Sequence, residues 1–243
     1  MSKSEKLSTH TKVQESPLSK ILREIYSRLH NRYGRQQWWL ADEPFEVMVG
    51  AILTQSTAWA NVEKAIRNLK ISKAMTPKSL RSLSIEQIAD LIRPSGFYTV
   101  KARRLESFIT WLGEYNDDLP TVFSKDTGCL RKELLSVYGI GEETADSILL
   151  YAAGKLVFVV DAYTRRIIDR VGTTPANRTY PGYQRLFMDN LPCNVEMFNE
   201  YHALLVQHGK TTCQKYPRCQ QCCLLEICQY GLSTSTLSIL SSH

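Results

Sequence analysis

Residues 134–166, LLSVYGIGEETADSILLYAAGKLVFVVDAYTRR, set two glycines between two helical patterns, then add an apolar run that ends on a single acid. This stretch constrains the fold more than any other. Leu134, Leu135 and Val137 close the apolar face of one helix, while Ala145, Ile148, Leu149 and Ala152 line the next, so the two must meet across a very short turn. Gly139 and Gly141 permit backbone conformations closed to other residues and leave their amides bare. That serves either a plain turn between packed helices or a hairpin that offers successive N–H groups at a helix start to a phosphate. Asp161 stands where an N-cap of the helix AYTRRIIDRVG is expected, and Arg165 and Arg166 follow within that helix's first turns.

The remainder of the chain reads the same way. Ile21, Leu22, Ile25, Tyr26 and Leu29 recur at helical spacing, PFEVMVGAILTQ is almost wholly apolar, and VKARRLESFITWLGEY carries Ala102, Leu105, Phe108, Ile109 and Leu112 on one side. Ser84 is placed to cap a short helix that Pro94 and Gly96 close. The only strand candidate is KLVFVV, which has no evident partner. The expected fold class is therefore all-α, built from many short helices without internal repeats. Residues 1–16 and 231–243 are expected to be a disordered segment and a flexible tail.

Lys and Arg outnumber Asp and Glu by 30 to 24, a net charge of +6 that favours a polyanionic partner without requiring one. No signal peptide and no run of about 18 apolar residues is present, so a membrane partner is not expected and a cytoplasmic location is. Five of the seven cysteines crowd between Cys213 and Cys228. In a reducing compartment a disulfide framework is the poorer account of them. Cys213, Cys219, Cys222 and Cys228 follow a C-x5-C-x2-C-x5-C pattern, a set of soft thiolate ligands suited to an iron–sulfur cluster or to zinc. Cys223 leaves the identity of the third ligand open.

In their order along the chain, PFEVMVGAILTQ, GFYTVKARRL, the Gly-Ile-Gly turn, VVDAYTRR and the cysteine group resemble the helix-hairpin-helix (HhH-GPD) DNA glycosylases of the endonuclease III superfamily, over residues 18 to 230. The resemblance implies a two-domain fold: a six-helix barrel domain with the hairpin over 45–155, and an iron–sulfur cluster domain from 17–44 plus 156–230. It implies base excision repair on double-stranded DNA carrying a damaged or mismatched base, by a monomer that is nucleoid-associated if bacterial. Asp161 becomes the catalytic carboxylate that stabilises an oxocarbenium-like sugar, held ionised by the helix dipole. The implied cofactor is a 4Fe-4S cluster on Cys213, Cys219, Cys222 and Cys228, although the first gap is one residue shorter than the family's.

Relatives that also cut the strand carry a lysine where this chain has Glu143, and a carboxylate cannot form the required imine. The expectation is a monofunctional glycosylase with weak or absent lyase activity. Trp38, Trp39 and Trp59 resemble the base pocket of the 3-methyladenine glycosylases of this superfamily, where aromatic faces would hold a cationic purine. That subgroup has proline in place of Leu40 and, in its best-known form, lacks the cysteine group. The adenine-mismatch branch has glutamate where this chain has Gly50 and is disfavoured. Gln55 matches the residue that fills the gap left by the extruded base. Gly139, Gly141, Lys101, Arg103, Arg104, Arg131, Lys132, Arg165 and Arg166 are the candidate DNA contacts. Two alternatives stand beside this reading: an endonuclease III-like enzyme for oxidised pyrimidines or mismatched thymine or uracil, and a non-catalytic iron–sulfur DNA-binding protein.

Overall fold

The computed structural model describes residues 16–36, 38, 39, 41 and 43–240. Residues 1–15 and Leu40 lie outside these. Among the described residues every element is helical and no β-strand forms.

Helix α1 (Pro17–Tyr33) starts where Ser16 Oγ accepts from Ser19 N at 3.0 Å and Pro17 supplies a preset φ. It buries Leu22, Ile25 and Leu29 against the later half of the chain, as expected from their spacing. Helix α2 (Pro44–Leu53) is buried over Phe45–Leu53, which explains its lack of a polar face. The same group holds α3 (Trp59–Ile71), α4 (Pro77–Arg81), α5 (Ile85–Leu91), α6 (Tyr98–Gly113), α7 (Leu119–Ser124), α8 (Thr127–Ser136) and α9 (Glu142–Ser147), of which α3, α6 and α9 pack directly on α2. Ser84 and Gln87 form a reciprocal capping box at the start of α5. Past Ser147 the helix widens into a π turn over Ile148–Ala152, where Ala153 N donates to Ile148 O at 3.1 Å. The second group comprises α10 (Ala162–Val171), α11 (Tyr180–Met188), α12 (Val195–Thr211) and α13 (Gln229–Leu240), with α12 packed on both α1 and α10.

One sequence expectation is corrected. KLVFVV pairs with no strand. Val157–Val160 are buried, and side chains of α11 take the place of a ladder: Gln184 Nε2 donates to Phe158 O at 2.8 Å, and Val160 N donates to Tyr180 Oη at 3.3 Å. Phe158 stacks on Phe187 at 3.9 Å between ring centres, which fixes the segment that delivers Asp161. Helix α13 runs on as far as Leu240, into the segment expected to be a tail. No helix among the described residues is long and apolar enough to cross a membrane.

Candidate active site

The turn between α8 and α9 is tighter on one glycine than on the other. Gly139 has φ +82°, and a β carbon there would fall 2.2 Å from Arg104 Cγ, so both backbone and space require glycine. Gly141 has φ −92° and open space around it, so neither strain nor crowding demands glycine there. It caps α9 with no side chain over the first-turn amides. Gln55 braces the turn from the end of α2: its Nε2 donates to Gly139 O at 3.0 Å and to Thr144 Oγ1 at 2.9 Å, while Arg104 Nη1 donates to its Oε1. The gap-filling candidate is thus held against the hairpin itself.

Asp161 is the N-cap of α10. Its Oδ1 accepts from Thr164 N at 2.7 Å, and only 9% of the residue is exposed. Its other oxygen, Oδ2, stands 3.7 Å from Nε2 of His202 on α12, near enough for charge attraction but beyond a direct hydrogen bond. Burial pushes this carboxyl's pKa up, but His202 and the Thr164 amide outweigh it and leave Asp161 below the ordinary aspartate value. Glu143, in the first turn of α9, is shifted the other way, because desolvation and the Asp161 charge both raise its pKa. Two carboxyls with opposed shifts in one site permit distinct roles.

An aromatic ladder runs from Asp161 outward. Tyr151, on the π turn, brings its Oη to 2.5 Å from His202 Nδ1 and its ring to 5.4 Å from Trp39. Trp39 meets Trp59 edge-on at 5.2 Å, and Trp38 lies 6.4 Å from both Trp59 and His202. Beyond the tryptophans opens a cavity of about 460 Å³, lined also by Glu46, Glu63 and Lys70. Asp161 is not among its walls. Trp59 Nε1 donates to Glu63 Oε1 at 2.9 Å, whereas the indole N–H groups of Trp38 and Trp39 find no partner in the protein. Lys210 Nζ sits 5.3 Å from the Trp38 ring centre. Burial lowers its pKa against the attraction of Asp161 and Glu63.

The cationic candidates divide. Lys101 is 1% exposed, and its Nζ donates to Leu53 O at 2.8 Å and Ser95 O at 2.7 Å; it fastens two loops from inside and cannot meet a phosphate. Arg166 is likewise turned inward, donating to Cys213 O at 2.9 Å and Gly209 O at 3.1 Å. Arg131 is bound to buried Asp146 through Nε at 2.7 Å. Arg103 and Lys132 are exposed, and Arg165 lies about 6 Å from the rings of Tyr180 and Tyr183. Sequence reasoning did not single out Tyr151, His202 or Phe97 as site residues. Phe97 is 70% exposed at φ +47°, immediately beside the loop that Lys101 holds. A polar histidine inside the apolar run HALLV was the available signal for His202.

Cys213, Cys219, Cys222 and Cys228 line one small cavity, and Cys223 does not. N–H groups already face three of the sulfurs: Arg170 Nη1 lies 3.2 Å from Cys213 Sγ, and the amides of Leu224 and Gly231 lie 3.4 Å from Cys222 Sγ and Cys228 Sγ. As the described side chains stand, no group of three or more His, Cys, Asp or Glu residues is drawn together around a single ion. Four thiols around one void, with donors aimed at sulfur, fit a cluster with four thiolate ligands.

The family model described as HhH-GPD superfamily base excision DNA repair protein matches residues 49–193. A protein of Methanocaldococcus jannaschii that bears the provisional name of a DNA repair glycosylase is 44% identical over 210 residues, spanning 86% of this chain and 96% of that one. Among solved structures, the H. pylori 3-methyladenine DNA glycosylase bound to 1,N6-ethenoadenine superposes with a TM-score of 0.69 at 27% identity, covering 79% of this chain and 97% of that chain. A trapped endonuclease III–DNA covalent intermediate shares the fold, with a TM-score of 0.77 at 23% identity over 89% of this chain and 98% of that chain.

Proposed function

The chain belongs to the HhH-GPD superfamily of base excision DNA repair proteins, and on that footing we propose that it is a monofunctional DNA glycosylase for alkylated purines such as 3-methyladenine. The observation that carries this reading is the pairing of Asp161, held ionised at the start of α10, with a carboxylate rather than an amine at position 143. In the dissociative cleavage of a glycosidic bond, positive charge grows on the sugar, and a fixed buried carboxylate stabilises it. Water then takes C1′, and with no amine at position 143 to form an imine the product is an abasic site on an uncut strand.

Extruding a base costs a few kcal/mol, and stacking returns roughly 1–3 kcal/mol for each aromatic face engaged. Trp38, Trp39 and Trp59 supply those faces next to Tyr151. An N3-alkylated purine is cationic and already a good leaving group, so stacking and cation–π attraction select it without a strong general acid. That the H. pylori neighbour is a 3-methyladenine glycosylase supports a purine in this place. The duplex would lie along the hairpin, Gln55, Arg103 and Lys132.

A 4Fe-4S cluster is part of this reading, with Cys213, Cys219, Cys222 and Cys228 as ligands. When bound, it supplies a covalent tie across a loop-rich segment and a redox-active centre. This chain's residues do the rest: Arg170 and two backbone amides face the sulfurs, and Arg166 holds the adjoining carbonyls.

The deciding experiment is a panel of duplexes carrying 3-methyladenine, hypoxanthine, thymine glycol, uracil or a G·T mismatch, incubated with the enzyme and resolved with and without alkali. Release of 3-methyladenine with strand cutting only after alkali is expected. Faster release of thymine glycol, uracil or mismatched thymine would overturn the substrate, and cutting without alkali would overturn the monofunctional assignment.

A further inference from the structure

His202 lies 6% exposed in the middle of α12, and its Nε2 has no hydrogen-bond partner within the protein. Buried polar atoms in this condition are rare and call for an explanation. Thr164 Oγ1, from the residue whose amide holds Asp161 Oδ1, is also buried and also lacks a partner. Both therefore belong to side chains that converge on Asp161, whose Oδ2 is 3.7 Å from His202 Nε2. That separation is too long for a direct hydrogen bond, and it lets one water oxygen touch both atoms.

The tautomer follows from the surroundings. Burial keeps Tyr151 a phenol, and its Oη lies 2.5 Å from His202 Nδ1. A bare Nε2 lone pair turned to the carboxylate of Asp161 would be repelled, so Nε2 carries a proton. Nε2–H thus points toward the oxygen of Asp161 that the Thr164 amide leaves free.

We propose that His202 is a catalytic residue of the hydrolytic step, its Nε2–H and Asp161 Oδ2 together holding the water that attacks C1′. The proposal rests on the glycosylase reading above. The water accepts from Nε2–H, donates one hydrogen to Oδ2 and keeps a second lone pair for the sugar. As its oxygen bonds to C1′, the C1′–N bond breaks, the bonding pair leaves with the base, and the water proton passes to Asp161. His202 loses no proton in this step, so an amide of matching reach can replace it.

The test is single-turnover base release from the best substrate of the panel, with affinity for a duplex carrying a tetrahydrofuran abasic analogue measured alongside. His202→Gln, whose amide reaches the Nε2 position, is expected within about tenfold of wild type. His202→Asn, whose amide reaches only the Nδ1 position, and His202→Leu are each expected to fall about 100-fold or more with analogue affinity unchanged. The Gln and Asn forms are equally polar, so their comparison holds even if the leucine form folds poorly. Equal rates for Gln and Asn, or wild-type rates in the leucine form, would overturn the role of His202. Should Asp161→Asn be inactive while His202→Leu is active, only this inference falls; an active Asp161→Asn, or a wild type that releases no base, overturns the glycosylase mechanism with it.

Discussion

A β carbon at Gly50 would sit 2.8 Å from Cζ2 of Trp39, so the buried helix α2 presents bare backbone to the edge of an indole. Trp39 itself has φ +62°, an uncommon backbone state for a large side chain, and the missing side chain at position 50 lets the ring settle against Tyr151 and Trp59. Gly50→Ala should therefore move Trp39 more than it harms folding. A destabilisation of about 1–3 kcal/mol is expected from the overpacking. Tryptophan fluorescence should shift, and base release should drop. Unchanged fluorescence with unchanged release would remove Trp39 from the pocket.

Glu143 makes a prediction with a definite sign. Its folded pKa is raised by desolvation and by Asp161, so its stabilising contribution is complete below the ordinary glutamate pKa and is lost as pH rises through the folded value. Because Glu143 is exposed and water screens its charge, Glu143→Gln should melt with wild type in acid and only slightly above it at neutral pH. A melting series from pH 4 to 8 checks this, and a Gln form less stable than wild type at pH 7 contradicts it. Asp161, with its pKa lowered, behaves oppositely: its contribution is present above the unfolded pKa and fades only as pH falls through the lower folded one.

The absence of an amine at position 143 is open to chemical trapping. Borohydride added during turnover should leave no protein–DNA adduct in wild type, whereas Glu143→Lys should form one. An adduct in wild type would direct attention to Lys210, whose lowered pKa and nearness to Asp161 make it the alternative nucleophile. Loss of that adduct in Lys210→Met would then identify it.

Salt dependence separates surface cations from buried ones. Arg103→Ala and Lys132→Ala should each reduce the slope of log affinity against log salt by about 1, with little change in melting temperature. Lys101→Met should do the reverse, because its ammonium is bonded to Leu53 O and Ser95 O inside the protein. Lowered stability with an unaltered slope is expected, and a reduced slope in Lys101→Met would place that residue on the DNA after all.

The cavity between the cysteines excludes Cys223, which gives a simple discrimination. Cys223→Ser should retain iron and its broad visible absorbance as purified, while Cys222→Ser should lose both. Metal analysis reporting zinc in wild type, or retention of iron by Cys222→Ser, would count against the ligand set.

What the sequence made legible was local. The Ser84 cap, the apolar face of α1 and the position of Asp161 at a helix start all follow from neighbours within four residues. What it hid came from distant groups. Lys101 looks like an exposed cation on an amphipathic helix, and the carbonyls of Ser95 and of Leu53, 48 residues earlier, explain its burial. Arg166 misleads for the same reason, its partners lying over 40 residues later. KLVFVV has the composition of a strand, yet its backbone is satisfied by side chains of α11. Tyr151 escapes periodicity because the π turn breaks the 3.6-residue repeat and shifts which residues face α12.

Helix α12 carries His202 at the carboxylate and, six residues on, His208, whose Nε2 lies 3.5 Å from Cys222 Sγ. Six residues amount to about 9 Å of helix. Helix α10 begins at Asp161, and Arg166 and Arg170 lower down the same helix grip the carbonyls of Cys213, Gln214 and Lys215. The imidazole and the carboxylate thus hang from two struts footed in the same cysteine segment, although no sulfur touches either group. Oxidation of the thiols would then act as an alignment fault: DNA would still dock on the hairpin face, but the two reacting groups would drift out of register with the sugar, where a displacement of about 1 Å costs on the order of 100-fold in rate.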